Sequence, residues 1–231
     1  MATTTTGHDR HGLPALDPGL ALLRLPRPRS PALPALVADR LRRRPGSAFW
    51  IDARNHAATY ALYGAAPAER TLDSLRIARA FTAYQHHSLV RRLPGLVTGR
   101  TSLVVAPAVT ALYRDPDLDA DRAEHLLDAT LAVLSNLASA VDVPVLVTTT
   151  AEDPAADSLA VAADTELACR ETPFGFAFSG ESFETTCYWD GGYWQTTIPY
   201  WVALFGAVDT GTEIGVGPLD PVDAPLGWVE G

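Results

Sequence analysis

The chain has 231 residues and no lysine: all 18 of its cationic residues are arginine. It has only two cysteines, and charged residues make up just 19% of it. Each shortage excludes something. Cys169 and Cys187 are too few for a disulfide scaffold or a thiolate metal site. Both lie in strand-like segments ("TELACRE" and "FETTCYW"), so buried free thiols are expected, and the sulfurs would be neighbours if those strands pair. No apolar run approaches the roughly 18–20 residues a membrane helix needs. The opening "MATTTTGHDRHG" lacks the basic and apolar regions of a secretory signal, which predicts a cytoplasmic protein.

Hydrophobic residues make up 47% of the chain, which describes a globular protein. The net charge of −9, carried on an arginine-only basic set, resembles the composition of a halophilic archaeon or of a GC-rich genome. An acidic surface argues against non-specific nucleic-acid binding, which needs cations against phosphate.

Residues 1–12 read as a mobile tail and 13–231 as a single domain. Prolines at 14, 18, 26, 28, 31 and 34 punctuate the first stretch. "ALVADRLRRR" predicts a helix whose last arginines complement its dipole. "AFWID" predicts a strand, and "HAATYALYG" a helix stopped by Gly64. "SLRIARAF" reads as a strand, "TAYQHHSLVRRL" as a helix and "SLVVAP" as another strand. Leu127, Leu131, Leu134, Leu137 and Val141 recur at helical spacing, with Asp121 and Glu124 set as a capping box. "VPVLVTTT" is a nearly continuous apolar strand, as in a sheet covered on both faces. This alternation predicts an α/β fold with a mostly parallel sheet, and the Gly-rich, closely spaced strands after about residue 165 predict an antiparallel C-terminal extension.

Four segments in order carry a family resemblance. "FWIDARN" is similar to "YIDTEGT", and "LDSLRIARAFTAYQHHSLVRRL" to "LDNIYVARAYNSDHQMLLVE". "LVVAPAVTALYR" is similar to "LVIVDSLTALFR", and "VPVLVTTT" to "IAVFVTNQ". The chain thus resembles the RecA/RadA-type recombinase core of the P-loop NTPase superfamily, over about residues 12–206. The resemblance implies a RecA-like three-layer sandwich.

It also implies where an active relative keeps its chemistry, and these positions are altered here. A phosphate-binding loop uses glycines to bare its N–H groups and a lysine to neutralise charge. The corresponding "RLPRPRSPA" has no glycine, and Pro26, Pro28 and Pro31 remove donors. Arg27, Arg29 and Ser30 stand in that loop. The family's magnesium-ordering acid corresponds to Pro107, its water-activating glutamate to Arg54, and its phosphate-sensing Gln to Thr150. Phosphoryl transfer depends on positioning and charge neutralisation. The expectation is therefore a protein with no catalytic residue, no cofactor and no metal. It would be a degenerate, catalytically inactive RecA/RadA-like subunit in DNA recombination and repair, acting by protein–protein contact. Its partner would be a recombinase, a related NTPase or another copy of itself. The alternative is a DNA-repair ATPase of the same superfamily whose site is completed by arginines or by a partner.

Other motifs carry less. Arg27, Arg29 and Arg54 could hold an anion, with salt bridges the plainer expectation. The loop "AEDPAADSLAVAAD" has four carboxylates and no cation, so it would repel single-stranded DNA. "DPDLDADRAE" resembles a calcium loop but lacks its sixth-position glycine and has Leu126 at the twelfth position. His8 with His11, and His86 with His87, lack convergent partners for a metal. The aromatics Tyr188, Trp189, Tyr193, Trp194, Tyr200, Trp201 and Phe205 are expected in the core, with a partner-binding patch as the alternative.

Overall fold

The structure is a computed structural model, and it describes residues 13–196 apart from 58, 67, 182, 191 and 192. The tail 1–12, with His8 and His11, and the aromatics Tyr200, Trp201 and Phe205 lie outside the described residues.

The chain begins with β1 (Gly19–Leu25), α1 (Ala32–Arg43), β2 (Ser47–Ala53), α2 (Thr59–Ala65) and β3 (Leu75–Ala80). It continues through α3 (Ala83–Val90), β4 (Thr101–Ala106), α4 (Ala120–Val141), β5 (Pro144–Thr150) and α5 (Ala156–Ala162). The remaining strands are β6 (Thr165–Thr172), β7 (Gly175–Ser179), β8 (Glu184–Asp190) and β9 (Tyr193–Thr196). They form one nine-stranded sheet in the order β3-β2-β4-β5-β1-β6-β7-β8-β9. Pairing is parallel from β3 to β6 and antiparallel from β6 to β9. The α/β class, the mostly parallel sheet and the antiparallel C-terminal strands agree with the sequence reading.

Strand alternation sorts the core into two layers. Leu23, Trp50, Leu103, Val105 and Leu146 face α1 and α2, whose Leu33, Leu36, Val37 and Leu62 cover them. Leu20, Leu22, Phe49, Ile51, Val104 and Val147 point the other way, toward α3, α4 and α5 through Val90, Leu131, Leu134, Leu137 and Leu159. Because helices cover both faces, the central strands are apolar at nearly every position.

Some local expectations change. β1 is a strand inside the proline-rich stretch: Pro18 and Pro26 bracket "GLALLRL" rather than interrupt it, and the Asp164 carboxylate accepts the Leu20 N–H at 2.7 Å. Gly64 does not stop α2, which runs on to Ala65. The cap of α4 is Asp119, whose carboxylate accepts the Arg122 N–H at 3.1 Å; Asp121 sits inside the first turn. The calcium-like segment thus serves as a capping loop. Cys169 and Cys187 are buried and not joined in a disulfide, and β7 lies between their strands, with Cys169 opposite Phe178 and Cys187 opposite Phe176. Burial pushes the Cys169 thiol up to about 12 and that of Cys187 up to about 11. Trp194 packs on Phe176 with ring centroids 5.2 Å apart, while Trp189 meets Trp194 edge-on and remains exposed.

His86 and His87 point apart from α3 yet reach one hydrogen-bonded chain. His86 Nδ1 lies 2.9 Å from Tyr113 Oη, which lies 2.8 Å from Thr130 Oγ1, and His87 Nδ1 lies 2.9 Å from that same Oγ1. Thr130 in turn donates to the Leu126 carbonyl at 2.7 Å. The pair is therefore a tie between α3, the segment after β4, and α4. Burial lowers the His86 pKa from 6.5 to about 4, so the ring is neutral at physiological pH.

Candidate functional site

The parallel strands β1, β2, β4 and β5 end on the same side of the sheet. From β1 the chain leaves to the α1 face, and from its neighbour β5 it leaves to the α5 face. Adjacent strands whose connections diverge open a crevice at their carboxyl ends, the usual place for a ligand in a doubly wound sheet. A cleft of about 230 Å³ lies there, lined by Leu25 at the end of β1 and Pro28 beyond it, His56 after β2, Thr110 and Arg114 after β4, Thr148, Thr149 and Thr150 of β5, and Glu152 and Asp153 after it.

The six positions that the family resemblance marked as a nucleotide site all fall on this carboxyl edge. Arg27, Arg29 and Ser30 follow β1, Arg54 follows β2, Pro107 follows β4, and Thr150 ends β5 opposite Leu25. Their surroundings differ sharply. Ser30 is fully buried; its Oγ donates to Glu171 of β6 at 3.0 Å, and Arg27 pairs with the same carboxylate at 3.0 Å. Pro107 is buried and leads into Ala108, at φ 46°, whose N–H donates to Thr148 Oγ1 at 2.9 Å. Thr150 contributes its carbonyl to the turn that follows, accepting the Asp153 N–H at 3.0 Å.

The expected salt bridges hold for one arginine of three. Arg27 has its acid; Arg29 and Arg54 have none among the described residues. Arg29 donates instead to the Arg54 carbonyl at 3.3 Å. Both arginines have left-handed backbone, at φ 59° and 56°, and Asn55 follows at 61°. Such backbone suits glycine or asparagine and is strained for arginine, so neighbouring structure must hold it. Asp52, fully buried at the end of β2, supplies part of that hold: its Oδ1 accepts the N–H groups of His56 at 2.7 Å and Ala57 at 2.9 Å. Its Oδ2 lies 3.5 Å from Arg79 Nε.

On the other side of the cleft, Asp153 is an internal anchor. It pairs with Arg114, accepts from Thr110 Oγ1 at 2.6 Å and takes the Ala155 N–H at 2.9 Å. Two of the four carboxylates expected on a repelling loop, Asp153 and Asp164, are thus engaged by the protein's own donors, and α5 forms within that segment. Burial lowers the His56 pKa; Asp52 opposes this, and the charges of Arg29 and Arg54 add to it. The Arg114 pKa is also lowered, by burial and then by Arg54.

The sequence reading missed Asp52, His56, Arg114, Asp153 and Glu171. Asp52 stood inside "FWIDARN" and Arg114 inside "LVVAPAVTALYR", so position gave a signal for these two. Glu171 carried none, because its role depends on β6 lying beside β1. Among the described residues, no group of three or more His, Cys, Asp or Glu side chains could hold a metal ion, and no helix is long and apolar enough to cross a membrane. No protein-family model matches the chain, and no curated protein matches it.

Proposed function

We propose that the chain is a RecA-like protein that does not hydrolyse nucleotide and works in the cytoplasm as an interaction or regulatory subunit. The observation that carries this reading is the loop after β1. It has no glycine and no lysine, it has prolines at 26, 28 and 31, and its one hydroxyl and first guanidinium are engaged by Glu171. A loop that cradles phosphate must present free N–H donors and an uncommitted cation. This loop presents neither in the usual form. Pro107 at the end of β4 supplies no carboxylate there, and the nearby Asp153 is committed to Arg114 and Thr110. The partner proposed is a recombinase-type or related NTPase, or a second copy of this chain, in DNA recombination and repair.

A second reading has one observation in its favour. Arg29 and Arg54 stand without acids near the cleft, where arginines could replace the missing lysine in an ATPase completed by a partner. Equilibrium binding of ATP to the full chain, with and without magnesium, separates the two. No magnesium-dependent saturation supports the non-hydrolysing subunit; saturable, magnesium-dependent binding supports the ATPase.

A further inference from the structure

We propose that the amino edge of the parallel sheet, at the starts of β2 and β4, docks an acidic peptide segment of a partner protein. Arg44, Arg91, Arg92 and Arg100 carry the surface, together with the exposed Leu96. This deepens the reading of the chain as an interaction subunit and rests on that reading.

Segregation of charge is the first observation. The net charge is −9, yet no Asp or Glu occurs between Asp39 and Asp52 or between Asp73 and Asp115. The first gap holds Arg40, Arg42, Arg43 and Arg44, and the second holds six further arginines. The fold brings parts of both gaps to one edge. Arg44 caps the end of α1 just before β2, and the segment from Arg91 to Arg100 joins α3 to β4, the neighbour of β2. The two connections touch. The Arg100 carbonyl accepts the Ser47 N–H at 3.2 Å, and Gly46 packs so close that a Cβ there would collide with the same oxygen.

These cations lack carboxylate partners. Asp39 pairs with Arg42 and Arg43, and Arg40 donates to the carbonyls of Leu16 and Ser102. Among the described residues no acid pairs with Arg44, Arg91, Arg92 or Arg100, and all four are exposed. A helix dipole accounts for an arginine at the end of α1 or α3, but Arg100 stands before a strand. The bordering acids are Asp73 before β3 and Asp142 before β5, both exposed.

The apolar element is Leu96, which is 51% exposed. A tight turn at Leu93–Gly95 fixes it: the N–H groups of Leu96 and Val97 both donate to the Leu93 carbonyl, at 2.8 and 2.9 Å. Leu93 and Val97 enter the core, and Leu96, between Arg92 and Arg100 in the chain, is left outside.

Chemistry chooses the occupant. Duplex DNA carries one charge per roughly 1.7 Å of axis, so it would run past this edge onto an acidic protein. Single strands want stacking side chains, and none of the exposed aromatics among the described residues belongs to these two connections. An acidic peptide confines its charge to the patch. Its carboxylates accept from the arginine forks in pairs, and an apolar side chain among them covers Leu96.

The test is fluorescence anisotropy of a short labelled peptide of Asp and Glu around a central leucine, titrated with the full chain. Saturable binding is expected at low salt, weakening as salt rises. Arg92→Ala and Arg100→Ala should each weaken it about two- to fivefold, and Arg92→Glu combined with Arg100→Glu about tenfold or more. Serine in place of the peptide's leucine should weaken it several-fold. Arg122→Glu, in the first turn of α4 beyond the carboxyl end of β4, should leave binding unchanged. The substituted arginines are exposed, and unchanged urea midpoints would confirm that the variants fold. Absence of saturable binding at low salt overturns the proposal, as does binding that the double reversal leaves intact or that Arg122→Glu weakens equally. An oligonucleotide of equal charge that binds more tightly than the peptide overturns the choice of partner. So does self-association, read by light scattering, that the double reversal abolishes. Phosphate release from ATP by the same protein separates the two readings: no peptide binding and no turnover overturns this surface alone, whereas turnover overturns the non-hydrolysing subunit.

Discussion

Asp52 should be the strongest single control on the cleft. It is fully buried, and one of its oxygens holds two consecutive backbone N–H groups, His56 at 2.7 Å and Ala57 at 2.9 Å, with Trp50 Nε1 at 3.4 Å. Asp52→Ala would strip these donors of their acceptor in a place water reaches poorly. A hydrogen bond to a charged group contributes about 1.5–3 kcal/mol, and two donors sharing one oxygen do not add fully, so the expected cost is about 3–5 kcal/mol. The partner Arg79 is half exposed and can turn to solvent, so its lost ion pair adds little. Asp52→Asn keeps an oxygen in place and should cost only about 1–2 kcal/mol. Against a domain stability of about 5–15 kcal/mol, the difference is readily measured by urea unfolding. Hydrogen exchange adds a local readout: the His56 and Ala57 amides should be protected in wild type and in Asp52→Asn, and exposed in Asp52→Ala. An alanine variant within about 1 kcal/mol of wild type, with both amides still protected, would refute the claim that this carboxylate sets the turn.

The remaining expectations concern other parts of the molecule. For His86, the fold disfavours the protonated ring, so between pH 6.5 and about 4 the unfolded chain takes up a proton that the folded chain refuses. Its contribution, about 3 kcal/mol, is complete above pH 6.5 and is lost as pH falls toward 4. His86→Gln should flatten the pH dependence of the urea midpoint across that window, and parallel profiles would contradict the assignment. Cys169 and Cys187, both buried with raised pKa values, should resist a thiol reagent at pH 8 in the native state and react fully in urea. Labelling of either thiol at the rate of a free cysteine before unfolding would count against their burial.

What the sequence revealed follows from what is local. α4 was legible because its leucines recur at helical spacing, and β5 because a run such as "VPVLVTTT" suits a strand covered on both faces. β1 was not, since prolines at 18 and 26 mask a seven-residue strand whose burial depends on β5 and β6 on either side. The candidate site was half legible. The resemblance named Arg27, Arg29, Ser30, Arg54, Pro107 and Thr150 as the positions of a nucleotide site, and the strand ends they follow lie on one edge of the sheet. What those residues touch could not be named, because Ser30 meets Glu171 across 141 positions and Thr110 meets Asp153 across 43. The left-handed backbone of Arg29 and Arg54 was also hidden because it runs against the arginines' own preference; beside Arg54 the Asp52 carboxylate holds the turn through the His56 and Ala57 N–H groups.

The proposed function requires that this cleft carry out no phosphoryl transfer. Steady-state release of inorganic phosphate from ATP, by the full chain with magnesium at high and low salt, tests it most directly. A rate no higher than that of a buffer blank is expected, with no change in Arg54→Ala. Turnover above the blank that is lost in Arg54→Ala would contradict it and would assign the arginines to a working ATPase.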